Sequence, residues 1–88
     1  MDIDDVLAEA SCLINGKRND QYGDYTDNWE RLGVLWGALL ETEPISPHMV
    51  GVMLATLKLS RIVSAPNHMD NYIDAVAYLA GSGALMSE

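Results

Sequence analysis

Two cations and two carboxylates flank a turn broken by proline: Lys58-Leu59-Ser60-Arg61 before it and Asp70-Asn71-Tyr72-Ile73-Asp74 after it. The chain has only five Lys plus Arg, so this is a large share of its positive charge. Asp70 and Asp74 are spaced i, i+4, which puts both carboxylates on one face of a helix. Paired carboxylates of this kind suit Mg²⁺, a hard cation that takes oxygen ligands and keeps several waters. Lys58 and Arg61 can bind phosphate, or can pair with the two acids across the turn. Both can hold, because an arginine that orients a metal-binding carboxylate acts from behind the metal's own ligands.

Each residue also has a plainer reading. With Asn67 as N-cap, Asp70 falls at the third helical position, where an acid is favourable without any function. Asp74 lies beyond the first turn, and capping does not account for it. His68 reads as a cap or turn residue rather than a ligand or base. A second acidic pair, Asp27 and Glu30, is spaced i, i+3; capping explains Asp27 and leaves Glu30 open. Arg18 and Tyr22-Gly23 can form a loop over a ligand, tyrosine giving a stacking face and glycine the turn. A solvated loop explains them nearly as well. Cys12 has no neighbouring base or cation in sequence and is assigned no role. Nucleophilic triads, phosphate-cradling glycine loops and HExxH zinc motifs are absent.

The elements that must position these residues follow from apolar spacing. Ile3, Val6, Leu7, Ala10, Leu13 and Ile14 recur at helical intervals, with Asp2 or Asp4 to cap the start and Gly16 to end the helix. Residues 17–25 lose that periodicity and read as a loop. A second helix is expected from Thr26 or Asp27, with Trp29, Leu32, Trp36, Leu39 and Leu40 on its apolar face. Val34, Gly37 and Ala38 on its opposite face are small enough to admit a helix or ligand. Glu43-Pro44-Ile45 breaks it. Ser46-Pro47 pairs an N-cap with proline at the first helical position, and Ala65-Pro66 stops the third helix near Ser64. That helix is apolar over most of its circumference and is expected at the centre. The fourth starts at Asn67 or His68, buries Tyr72, Ala75, Val76 and Leu79, and ends at Gly81-Ser82-Gly83, leaving a frayed tail over residues 82–88. The expected fold is all-α: a compact single-domain bundle of three to four helices over residues 1–88.

At 88 residues, burial alone gives marginal stability, and association with further copies of the chain is expected. A hydrophobic content of 49% argues against disorder despite a formal charge of −8. That charge opposes direct binding to nucleic acid or to an anionic membrane, but suits a protein partner with a basic groove. A single cysteine forms no internal disulfide, and no Cys/His set supplies a zinc site. The start of the chain lacks a secretory signal, and its longest nearly apolar run, Met49 to Leu57, is far short of a membrane span. A cytoplasmic location is the expectation.

The set Arg18, Tyr22-Gly23, Trp29, Trp36, Lys58-x-x-Arg61, His68-x-Asp70-Asn71-x-x-Asp74 and Tyr78 resembles an uncharacterised family of small phage and bacterial proteins labelled MazG-like. The resemblance runs from Arg18 to Gly81. More distantly the layout is similar to the all-α nucleotide pyrophosphohydrolases of the MazG and dimeric dUTPase group. Those enzymes hold Mg²⁺ on an E-x-x-E helix and a later E-x-x-D helix, cleave nucleoside triphosphates to monophosphate and pyrophosphate, and often share the site between subunits. By that resemblance Asp27-x-x-Glu30 stands for the first pair and Asn71-x-x-Asp74 for the second, with Lys58 and Arg61 facing phosphate. The chain departs from the pattern in having Asp at the first acid and Asn at the third.

The resemblance implies a nucleotide-handling protein in which Glu30, Asp70 and Asp74 bind Mg²⁺. Glu30 and Asp74 would carry catalysis, and Arg18, Tyr22, Lys58 and Arg61 would bind the nucleotide. A relative with a weakened metal site would bind a nucleotide, including a signalling nucleotide, without turnover. The alternative is a phage-type acidic protein that occupies a basic groove on a host or defence protein, in the host cytoplasm.

Overall fold

The structure, a computed structural model, describes residues 1–17 and 23–87, the side chain of Lys17 excepted. The described residues form an all-α chain: α1 (Ile3–Cys12), a wide π-type turn (Leu13–Lys17), α2 (Tyr25–Leu40), α3 (Pro47–Ser64) and α4 (Met69–Met86). The four helices were expected; several of their ends and faces differ from expectation.

Asp2 caps α1 through a reciprocal box, its carboxylate accepting from Asp5 N–H at 2.8 Å while Asp2 N–H donates to Asp5 at 3.1 Å. The helical path then continues past Cys12 into the π-type turn, which carries Ile14 into the core as its spacing implies and ends at Lys17, one residue past the expected stop at Gly16. For α2 the N-cap position is Asp24, not Thr26 or Asp27. Thr26 Oγ1 donates to the Asp24 carboxylate, and no Asp27–Glu30 capping box forms. Ser46 caps α3 as its sequence implies, accepting from Met49 N–H at 3.3 Å.

The largest correction concerns α4. Its N-cap is His68, which places Asp70 at the second helical position, and the helix runs through Gly81-Ser82-Gly83 to Met86 with no frayed tail from 82 among the described residues. Its buried surface is wider than the expected stripe: Ala75 is buried as expected and Tyr72 and Val76 are partly buried, but Asn71, Asp74, Ala77, Tyr78, Gly81 and Ser82 are buried too, while Leu79 is 49% exposed. The reason is the close approach of α3, the helix with which α4 packs most extensively. Small residues on the facing sides form a slot for Trp29, which is 2% exposed. A Cβ on Gly51 would lie 2.5 Å from the indole, and one on Gly81 3.0 Å from it. Tyr25 and Tyr78 meet that indole edge-on, with centroids 4.9 and 6.3 Å away. Ser82 is held too, its hydroxyl donating to His48 O at 2.7 Å. Tertiary packing at Gly81 and Ser82 thus overrides the low helix propensity of the glycine.

On α2 the expected apolar face holds at Trp29, Leu32 and Trp36 and fails at Leu39 and Leu40, which are 81% and 60% exposed. Gly33 and Gly37 are buried instead, under the backbone of the 43–45 connection.

Candidate functional site

The C-terminal half of α3 carries Lys58 inward, toward α4. Its Nζ lies 2.9 Å from Asp74 Oδ2, and the two side chains are only 13% and 11% exposed. Asp74 has a further interaction besides this one. A charge pair so withdrawn from water loses hydration that its mutual attraction only partly restores. Asn71 stands one turn before Asp74 on the same buried face and is 7% exposed, yet its side-chain amide forms no hydrogen bond among the described residues. An unpartnered buried amide is costly, so this one is a feature to be explained.

Arg61 parts company with Lys58. Its side chain is exposed, has no ion-pair partner among the described residues, and lines an open cleft of about 360 Å³ with Ser60, Ser64, Ala65, His68 and Asn71. The turn that frames this cleft is braced by Tyr72, whose hydroxyl donates to Pro66 O at 2.8 Å, and by His68 N–H donating to Ala65 O at 3.1 Å.

Of the residues expected to share a site, the structure brings Lys58 to Asp74 and Arg61 to the adjoining turn. Asp70 is not beside Asp74 in burial: its carboxylate is 83% exposed and lies 3.8 Å from His68 Nε2. Glu30 and Asp27 are exposed on α2. Among the described residues no three His, Cys, Asp or Glu side chains gather as a metal-binding group. Arg18 and Tyr22 lie outside the described residues. Cys12 is a free, exposed thiol.

The buried amide of Asn71 is what the residue pattern hid. Asn71, Asp74, Tyr78 and Gly81 recur at i, i+3, i+7 and i+10, a helical stripe whose polar members disguise a packed face. The glycine in that stripe is the signal that a neighbouring helix comes close.

A family model described as a domain of unknown function, DUF6378, matches residues 5–86. The chain is 37% identical over 73 residues to the Gene 55 protein of Mycobacterium phage L5, covering 83% of this chain and 47% of that protein. To the Gene 55 protein of Mycobacterium phage D29 it is 33% identical over 73 residues, covering 83% and 48%. The chain thus spans about half the length of these curated relatives. No solved structure matches it. With nearly its whole length matched, the chain belongs to the DUF6378 family, whose function is unknown.

Proposed function

We propose that this chain is a MazG-like nucleotide-binding protein, acting as a homo-oligomer, in which Lys58 engages the phosphates of a nucleoside triphosphate and Asp74 holds Mg²⁺. The observation that carries this is the Lys58–Asp74 pair, 2.9 Å apart and almost withdrawn from water. A pair of this kind adds little stability over apolar side chains of the same volume, so its presence in a small core favours a chemical use. Mg²⁺, when bound, would neutralise polyphosphate charge and orient a water. The donor chemistry fits it, since Asp74, Asp70 and Glu30 offer carboxylate oxygens. In a single copy these acids do not gather among the described residues, and Glu30, exposed on α2, is free to reach a second copy.

Lys58 would release Asp74 to the cation and turn its ammonium to the phosphate, exchanging one charge partner for another. Where the acids are complete, the outcome is hydrolysis to monophosphate and pyrophosphate; where they are not, the nucleotide is held unchanged. No described helix is long and apolar enough to cross a membrane, and the phage relatives support placing this activity in the host cytoplasm.

Thermal unfolding with nucleoside mono-, di- and triphosphates, each with and without Mg²⁺, tests the reading. A specific ligand raises the melting temperature by mass action, by about 2.7 kcal/mol of stability at a hundredfold excess over Kd. The rise should require Mg²⁺ and vanish in Asp74→Asn. Pyrophosphate release then separates the enzyme from the binding relative. An unchanged Mg²⁺-dependent shift in Asp74→Asn, or no shift with any nucleotide, would overturn the proposal.

One observation favours a second reading. The N-terminal helix exposes Asp4, Asp5 and Glu9 beside Ile3 and Leu7, at 78% and 51% exposure, on a chain of net charge −8. An acidic surface with apolar anchors suits a basic groove on a host or defence protein.

A further inference from the structure

We propose that the cleft at the α3–α4 turn is a binding site for a tetrahedral phosphate dianion, recognised by Arg61, His68, the Ser60 and Ser64 hydroxyls and the amide of Asn71. The resemblance put Arg61 on the phosphates of a nucleotide together with Lys58; this site goes beyond that reading, because it requires neither Lys58, Asp74 nor a metal.

The buried amide is the strongest observation. Asn71 is 7% exposed, lines the cleft, and leaves its side-chain amide without a hydrogen bond among the described residues. Its amide group can donate to an oxyanion seated in the cleft, which removes the cost of leaving it unpaired. The second observation is electrostatic. In a chain of net charge −8, the residues that line this cleft include Arg61 and His68 and no acid. Arg61 has no carboxylate partner among the described residues, so its guanidinium is available for paired hydrogen bonds to phosphate oxygens. Third, α4 begins here without a side-chain cap: His68 sits at the N-cap position and makes no capping bond. Of the first N–H groups of this 18-residue helix, that of Asn71 donates to His68 O at 3.3 Å, which leaves those of Met69 and Asp70 for an anion at the helix start.

The donors come from two helices and the turn between them. They include a guanidinium, an imidazole, hydroxyls and an amide, which surround a tetrahedral anion better than a planar carboxylate. Asp70, 83% exposed, lies 3.8 Å from His68 Nε2, where a bound phosphate would compete with it for the imidazole. The phosphate is either free or the phosphoryl group of a larger molecule, and the two sources differ in what surrounds the anion.

The test is a ¹⁵N–¹H titration of the full chain with inorganic phosphate, then with a nucleoside monophosphate, both without divalent cations and at fixed ionic strength set with chloride. The expected result is a saturable shift of the Asn71 side-chain amide and of the Met69 and Asp70 backbone signals. Arg61→Gln, a change at an exposed position, should weaken binding about tenfold while the melting temperature holds. Asn71→Asp, which replaces a donor by a like charge, should abolish binding in a protein whose helical circular dichroism is unchanged. Equal affinity for both ligands would identify free phosphate as the source, and tighter binding of the monophosphate would identify a phosphoryl group on an organic carrier. A linear, unsaturated response, a response equal to that of chloride, or binding unchanged in Arg61→Gln would overturn the proposal. These outcomes are independent of the Mg²⁺-dependent nucleotide shift and of Asp74.

Discussion

Lys58 is the side chain whose replacement says most about why the core carries charge. Removing the ammonium leaves Asp74 nearly buried beside α3, and breaking such a pair from one side costs about 3–5 kcal/mol when burial is complete. Both side chains keep some exposure and Asp74 has another interaction, so Lys58→Met should cost about 2–3 kcal/mol. The double variant Lys58→Met with Asp74→Leu should return to within about 1 kcal/mol of the parent, because no charge is then stranded. Urea denaturation of all four proteins reads this directly. If the double variant loses the sum of the two single losses, the pair is needed for packing as such, and the argument that it is retained for chemistry fails.

Among the elements, what could be read from the sequence was what local signals decide. Ser46-Pro47 starts α3 and Ala65-Pro66 stops it because an N-cap hydroxyl and a proline ring act within a few residues of themselves. Which face of α4 is inside could not be read the same way. Asp74 and Asn71 look like a solvated face until Lys58 and Trp29 are known to lie opposite, and those contacts cross from other helices. The candidate site was accordingly half legible. The pairing of Lys58 with Asp74 follows from charge on either side of a turn, while the burial of Asn71 and the separation of Arg61 follow from packing. A local strain was equally hidden: α2 ends with Glu41 in the left-handed region, φ 58°, a conformation glycine adopts without a Cβ clash. Glu41→Gly should therefore stabilise the chain by about 0.5–1 kcal/mol, seen as a rise in the urea midpoint with an unchanged slope. A fall would mean that the carboxylate holds a contact worth more than the strain.

At the scale of the molecule, exposed apolar side chains fall in rows along two of the helices. Leu35 and Leu39 form an i, i+4 pair on α2 at 53% and 81% exposure, and Met49, Met53 and Leu57 form a stripe along α3 at 42%, 36% and 48%. Apolar rows of this kind on a small chain are expected to be covered by a further copy. The prediction is a dimer or larger assembly in sedimentation equilibrium, its mass falling on dilution. Leu35→Glu with Leu39→Glu should return the chain to a monomer with its helical circular dichroism retained, since neither side chain contributes to the core. If Glu30 completes the acid set from a second copy, the same double substitution should also abolish the Mg²⁺-dependent nucleotide shift, while phosphate binding at the Arg61 cleft, built from one copy, persists. A parent chain that is monomeric at every concentration would assign the apolar stripes to a different protein and favour the acidic interaction reading over the shared nucleotide site.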